Sequence, residues 1–215
     1  MRILIFSDLH ANWQALLSLQ SAEKPPDAIL FAGDAVGYGP DAAACVAWLR
    51  NNVTAAIQGD HDRAVATGTE YASPDEWRDL ARATRDVTRA LLHQNALDYL
   101  AALPPEREVE LGGARFWLTH QPPLAYEQIR ADIILCGHTH IPALRRVNAK
   151  WIVNPGSLGQ PRHGLPSATY AVWEDGGLKI QHIDYDPAPT IQRLALLPLD
   201  PDHLSRLQEA LATGI

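Results

Sequence analysis

The chain has 215 residues, 47% hydrophobic and 20% charged, with a formal charge of -7. That length can bury a substantial core, and the composition is neither that of a disordered chain nor collagen-like. The acidic balance argues against a polyanion-binding surface, because nonspecific nucleic-acid affinity depends on Lys and Arg neutralising phosphates.

The opening MRILIFSD runs straight into a strand pattern, without the apolar core or cleavage site of a signal peptide. No apolar stretch approaches the roughly 20 residues of a membrane helix. The expected location is cytoplasmic, with no membrane partner. RILIFSD, DAILFAGD and VTAAIQGD are short apolar runs ending in Asp, which read as buried strands. Between them, NWQALLSLQSAE and DAAACVAWLRNN carry apolar residues at helical spacing, opened by Asn12 and Asp41 as caps. Strand alternating with helix predicts a parallel α/β sheet. From Pro74 to Leu103 the pattern is helical, an insertion that closes at Pro104 and Pro105 and serves either as a lid or as a packing element. REVEL, ARFWLTH and ADIILCGHTH return to strands, with Gly112 and Gly113 as a hairpin turn. KWIVNPGS and SATYAVWEDGGLKIQHIDYD read as antiparallel strands, and DHLSRLQEALA as a closing helix. Without repeats or linkers, residues 1–215 are expected to form one mixed α/β domain. Cys45 and Cys136 fit no disulfide framework and no paired metal spacing, and read as buried thiols.

The ionisable residues carry the chemistry. Asp8 with His10, Asp34, the GDHD group from Gly59 to Asp62, His120, and His138 with His140 all stand at ends of predicted strands. Ligand sites of open α/β sheets gather outside the carboxyl ends of their strands. In extended chain, residues i and i+2 point the same way, so Asp8 with His10 and His138 with His140 are each expected to form a two-pronged clamp. Carboxylates and imidazoles without thiolates suit Mn, Fe, Zn, Co or Ni. Seven such ligands exceed the need of one ion. Two divalent cations about 3.5 to 4 Å apart, bridged by one carboxylate, would use them all and serve in-line attack at phosphorus. The GDHD carboxylates, crowded at the end of an apolar run, need a cation or hydrogen-bond donors to offset their repulsion.

SDLH, GD at Gly33, GDHD, THQ and GHTH, in that order, resemble the five blocks of the calcineurin-like metallophosphoesterase superfamily. GDAVGYGPD and VNPGSLGQPRHG are similar to its small prokaryotic phosphodiesterases, so the resemblance spans nearly the whole chain. It implies a four-layer sandwich, two packed mixed β-sheets flanked by α-helices. It also implies that Asp8, His10, Asp34 and His140 hold one metal, and that Asp34, Asp60, His120 and His138 hold the second, manganese being the favoured ion. A hydroxide between the metals would then attack a phosphodiester, with monoesters and nucleotides as alternative small substrates. His61 would protonate the departing alkoxide or stabilise charge on the phosphate, with Asp62 orienting its ring. The family usually has Asn where this chain has Asp60. The extra carboxylate lowers the charge of the centre by one unit, which is expected to tighten the second metal and favour singly charged diesters. The rival reading is a binding or scaffold protein that keeps the fold without useful catalysis; the presence of His61 speaks against it.

Three residues are candidate substrate contacts. Arg162 offers a bidentate donor for a phosphate oxygen, with a solvated surface arginine as the plain alternative. His163 follows it in the same loop. Tyr38, just past Asp34, lines the pocket or is a packed turn residue. His93, in the helical segment, His182 and His203 are given surface or packing roles, and the tryptophans no substrate stacking.

Overall fold

Alternate residues of the first strand, β1 (Arg2–Phe6), are buried on opposite faces: Ile3 and Ile5 in one apolar cluster, Leu4 and Phe6 in another. This period of two, with both faces buried, places β1 at the centre of the molecule. The computed structural model describes residues 1–70 and 77–215. In chain order the remaining elements are α1 (Trp13–Ala22), β2 (Ala28–Phe31), α2 (Ala42–Asn52), β3 (Ala55–Ala56), α3 (Asp60–Thr67), α4 (Arg78–Leu91), α5 (Gln94–Ala102), β4 (Glu106–Leu111), β5 (Ala114–Thr119), β6 (Ile133–Leu135), β7 (Ala143–Val147), β8 (Lys150–Asn154), β9 (Ala168–Glu174), β10 (Gly177–Ile183), α6 (Ala188–Leu194) and α7 (Pro201–Thr213).

The strands form two mixed five-stranded sheets, ordered β10-β9-β1-β2-β3 and β4-β5-β6-β8-β7. β1, β2 and β3 run parallel, as do β5, β6 and β8, while β9, β10, β4 and β7 pair antiparallel. Ile3, Ile5 and Leu30 of the first sheet meet Phe116, Leu118, Ile133, Leu135 and Val153 of the second, forming the inter-sheet core. Leu4, Phe6 and Phe31 pack outward against Leu16 and Leu19 of α1, Val46 and Leu49 of α2, and Leu97 and Leu100 of α5. Two packed mixed sheets flanked by helices are therefore observed, with this helical layer on the outer face of the first sheet. On the second sheet, the Lys150 ammonium reaches the carbonyls of Tyr126, Glu127 and Ile129 and pins the connection between β5 and β6.

Local chemistry explains the boundaries that agree with the sequence reading. Asn12 caps α1 through a bond from the Ala15 amide. Gly112 and Gly113, at φ 59 and 77, form the two-residue turn between β4 and β5. Asp41 stands at the expected N-cap of α2, but its carboxylate makes no cap bond and instead holds Arg193 through two bonds of 2.8 Å.

The helical segment expected from Pro74 to Leu103 is two helices. Its expected start lies partly outside the described residues, and the helix is interrupted at Leu92 and His93, so His93 stands at the N-cap position of α5 and not inside a helix. Three elements, α3, β7 and α6, were not read from the sequence at all.

Candidate metal centre

The loops leaving β1, β2 and β6 carry five of the expected ligands on left-handed backbone: Asp8 (φ 53), His10 (φ 44), Asp34 (φ 61), His138 (φ 69) and His140 (φ 59). The extended two-pronged clamps expected from sequence are therefore replaced by strained turns. Left-handed non-glycine residues cost of order 1–3 kcal/mol each and persist where surrounding structure fixes them. Here the Asp8 amide bonds the Gly33 carbonyl at 2.9 Å, and those of His10 and Ala11 bond the carbonyls of Asp34 and Ala35 at 3.1 and 2.9 Å. The loops after β1 and β2 lock each other.

These turns gather the donors into overlapping groups whose ligand atoms lie within 4.8 Å of one another: Asp8 with His10 and His140, Asp60 with His120 and His138, and Asp8 with Asp34 and His120. His138 and His140 thus part company, each joining a different group. Asp34 stands between them, its Oδ2 3.1 Å from His120 Nε2 and 3.8 Å from His10 Nε2. On the other side, Asp60 Oδ1 lies 2.9 Å from His138 Nδ1 and 3.2 Å from His120 Nε2.

The donor set fits divalent cations. His10, His120 and His140 each place Nδ1 against a backbone carbonyl, of Val36 at 3.1 Å, Ala32 at 2.7 Å and Gln160 at 2.6 Å. An Nδ1–H committed in that way leaves the Nε2 lone pair for a metal. His10 Nε2 and His140 Nε2 face each other at 2.9 Å, and burial pushes both rings well below the ordinary histidine range. Two neutral rings presenting lone pairs to one point are reconciled by a shared cation. His120 Nε2 is buried without a hydrogen bond among the described residues, another donor aimed at that centre.

The carboxylates tell the same story. Burial, with the Asp34 charge adding, pushes Asp8 up to about 7. Burial would also raise Asp60, but the close-lying rings of His120 and His138 outweigh it and hold Asp60 well below the carboxylate range. Burial lowers His120, yet Asp34, Asp60 and Asp8 together raise it well above its ordinary value. The hydrogen bond to Asp60 raises His138.

His61 opens α3 and lies beside both groups, its amide bonded to Asp34 Oδ1 at 2.9 Å and its ring 4.8 Å from His10 and 4.5 Å from Tyr38. Burial lowers its pKa, against the opposing charges of Asp34 and Asp60. Asp62 does not match the expectation that it orients the His61 ring. Its Oδ1 accepts from the amides of Ala35 and Val36, and its Oδ2 from those of Asp34 and Gly59. Placed two residues after Asp60 on a helix, the side chain points back across the first turn and braces the Asp34 loop.

Tyr38 is buried, left-handed at φ 59 and packed 4.8 Å from His10. Arg162 donates to Tyr38 Oη at 3.3 Å and to Gln160 Oε1 at 3.1 Å. His163, by contrast, packs its ring 5.5 Å from His182 and meets Ser167. Both cysteines are buried, and burial raises both thiols, Cys136 to about 12. Sequence reasoning did not find Asn154, whose side chain holds the Gly137 carbonyl at 2.7 Å, nor Trp77, whose ring lies 4.2 Å beneath the Arg162 guanidinium. Asn154 lies in the quoted VNPGSLGQPRHG block but was given no role there, and Trp77 was passed over with the other tryptophans because its contact with Arg162 is made only by tertiary packing.

A model of the calcineurin-like phosphoesterase superfamily domain matches residues 1–175. An uncharacterized protein of Methanocaldococcus jannaschii is 27% identical, over 86% of this chain and 88% of its own length. Phosphodiesterase YfcE of Escherichia coli is 23% identical over 84% and 91%. Among solved structures, a metallophosphoesterase from Sphaerobacter thermophilus superposes with a TM-score of 0.82 at 28% identity, covering 96% of this chain and 98% of the other.

Proposed function

The chain belongs to the calcineurin-like phosphoesterase superfamily, and from that premise we propose that it hydrolyses phosphodiester bonds at a centre holding two divalent cations. Phosphomonoesters and nucleotides are the alternative substrates of the same chemistry. The observation that carries the reading is the pair of facing neutral imidazoles, His10 and His140, set beside a second group, Asp60 with His120 and His138. In this reading Asp8, His10, Asp34 and His140 hold one ion and Asp34, Asp60, His120 and His138 the other, with manganese favoured. Two such cations supply a water acidic enough to ionise near neutrality and polarise the phosphoryl oxygens.

The chain's own residues do the rest. Asp34 keeps both groups in register, and the four amides that Asp62 accepts hold Asp34 in place. His61, lowered by burial, presents a neutral ring whose N–H steadies charge on the phosphate. An incoming anion raises its proton affinity, so the ring takes up a proton from solvent as the anion binds and passes that proton to the departing alkoxide. Asp60, a carboxylate ligand, suits a singly charged diester. No helix among the described residues is long and apolar enough to cross a membrane.

The test is hydrolysis of bis-p-nitrophenyl phosphate by the Mn-loaded protein, with activity lost on chelation. His61→Ala is expected to keep its metal and lose on the order of 10²-fold or more in kcat. A metal-loaded protein inert towards diesters across several metals, or indifferent to His61→Ala, would favour the scaffold reading.

A further inference from the structure

We propose that Arg162 is the anion anchor of this site, binding a non-bridging oxygen of the phosphoester, and that helix α7 sets where it stands; this rests on the phosphoester reading above. Arg162 belongs to the loop after β8 that also grips the metal centre. In that loop Ser157 Oγ donates to the Asp8 carbonyl at 2.7 Å, the Gly159 amide donates to the same carbonyl at 3.0 Å, and the Gln160 carbonyl receives His140 Nδ1 at 2.6 Å. A cation two residues beyond Gln160 is thereby tied to the ligands by a few short bonds.

Its surroundings leave binding capacity over. Arg2, Arg82, Arg85 and Arg193 all pair with carboxylates. Among the described residues Arg162 has no carboxylate partner, and its buried Nε has no acceptor. Its guanidinium rests over the Trp77 ring at 4.2 Å and the Tyr38 ring at 5.6 Å, contacts that hold its plane without using its donors. Tyr38 touches His61 and His10 in turn. Three ligand carboxylates offset most of the positive charge two divalent ions would bring. A fixed guanidinium beside them restores attraction for an anionic ester and matches its oxygens with a planar fork.

The position of Arg162 is set from beyond residue 175, where the family match ends. Leu207 and Leu211 of α7 pack with Tyr38, Leu80 and Ala81, and Trp77 joins that cluster. At the end of α7 the Gly214 carbonyl accepts from the Gly164 amide at 2.8 Å. The backbone of Leu165 lies so close to Gly214 that an added Cβ would stand 2.1 Å from the Leu165 carbonyl oxygen. The Arg162 loop is thus clamped between Trp77 and the end of α7.

The experiment measures binding of inorganic phosphate to the Mn-loaded protein by calorimetry, alongside kinetics on bis-p-nitrophenyl phosphate. Arg162→Gln is expected to retain its metal, to weaken phosphate binding by roughly 10- to 100-fold and to raise KM more than it lowers kcat. Arg162→Lys, which keeps the charge and loses the fork, is expected to fall between. Unchanged phosphate affinity in Arg162→Gln overturns the proposal, also where its melting temperature drops, since the residue is then only a brace. Should Arg162→Gln fail to fold, Arg162→Lys decides, with wild-type phosphate affinity overturning the proposal. A wild-type protein that binds phosphate through Arg162 yet cleaves no diester removes the catalytic reading and leaves the anchor. Diester turnover with phosphate affinity indifferent to Arg162 does the reverse.

Discussion

Asp8 shows how a single group links the fold to its ligand. Burial and the neighbouring Asp34 push its carboxyl up to about 7, so without a cation it tends to hold its proton towards neutrality. A cation must displace that proton, and also those that raised pKa values keep on His120 and His138. His10 and His140, depressed by burial, are already neutral and compete with nothing. The sign follows: proton and metal compete for Asp8, His120 and His138, so affinity falls as pH drops through about 7 and binding releases protons. Calorimetric titration with Mn at about pH 6 and about pH 8, in buffers of different ionisation enthalpy, is expected to show weaker binding and proton release at the lower value. Affinity independent of pH, with no proton release, would contradict this assignment. That these residues would be brought together was legible in their order and types. Their left-handed backbone was not, because it is imposed by hydrogen bonds between loops that follow different strands.

At the scale of elements, the turn from β3 into α3 works by close approach. A Cβ on Gly59 would stand 1.9 Å from Asp34 Oδ1 and 2.4 Å from the Asp34 amide, although the Gly59 backbone, at φ -88, suits any residue. Gly59→Ala therefore acts through contact and not through backbone strain. It is expected to keep the far-UV circular dichroism of the parent and to lose about 10- to 100-fold in metal affinity, because Asp34 must move. Parental affinity in a folded Gly59→Ala protein would show that Asp34 is not held as described. The strands around this turn were legible from their period of two, and the β4–β5 hairpin from Gly112 and Gly113. α3 was not, because DHDRAVAT has little apolar periodicity and is fixed by Asp62 meeting the amides of the Asp34 loop. β3 was read correctly as a strand but keeps only Ala55–Ala56, its ladder continuing through the bond from the Ile57 amide to the Phe31 carbonyl.

The whole molecule brings two sheets and a C-terminal helix pair to one rim. The parallel strands β1, β2 and β3 deliver Asp8, Asp34 and Asp60 from the first sheet, while β5 and β6 deliver His120, His138 and His140 from the second. α6 and α7 close the side where Tyr38, Trp77 and Arg162 stack. Sequence order alone indicated the first two contributions, since each ligand follows an apolar run. The third was hidden, because Trp77 and Arg162 meet only through tertiary packing. The proposed convergence of seven donors on two ions is tested most directly by counting metal in the purified, Mn-saturated protein, by elemental analysis and anomalous scattering from crystals. Two ions per chain are expected, sharing Asp34, and Asp34→Ala is expected to weaken both. A single ion or none in the parent protein, or Asp34→Ala retaining both at parental affinity, would contradict it.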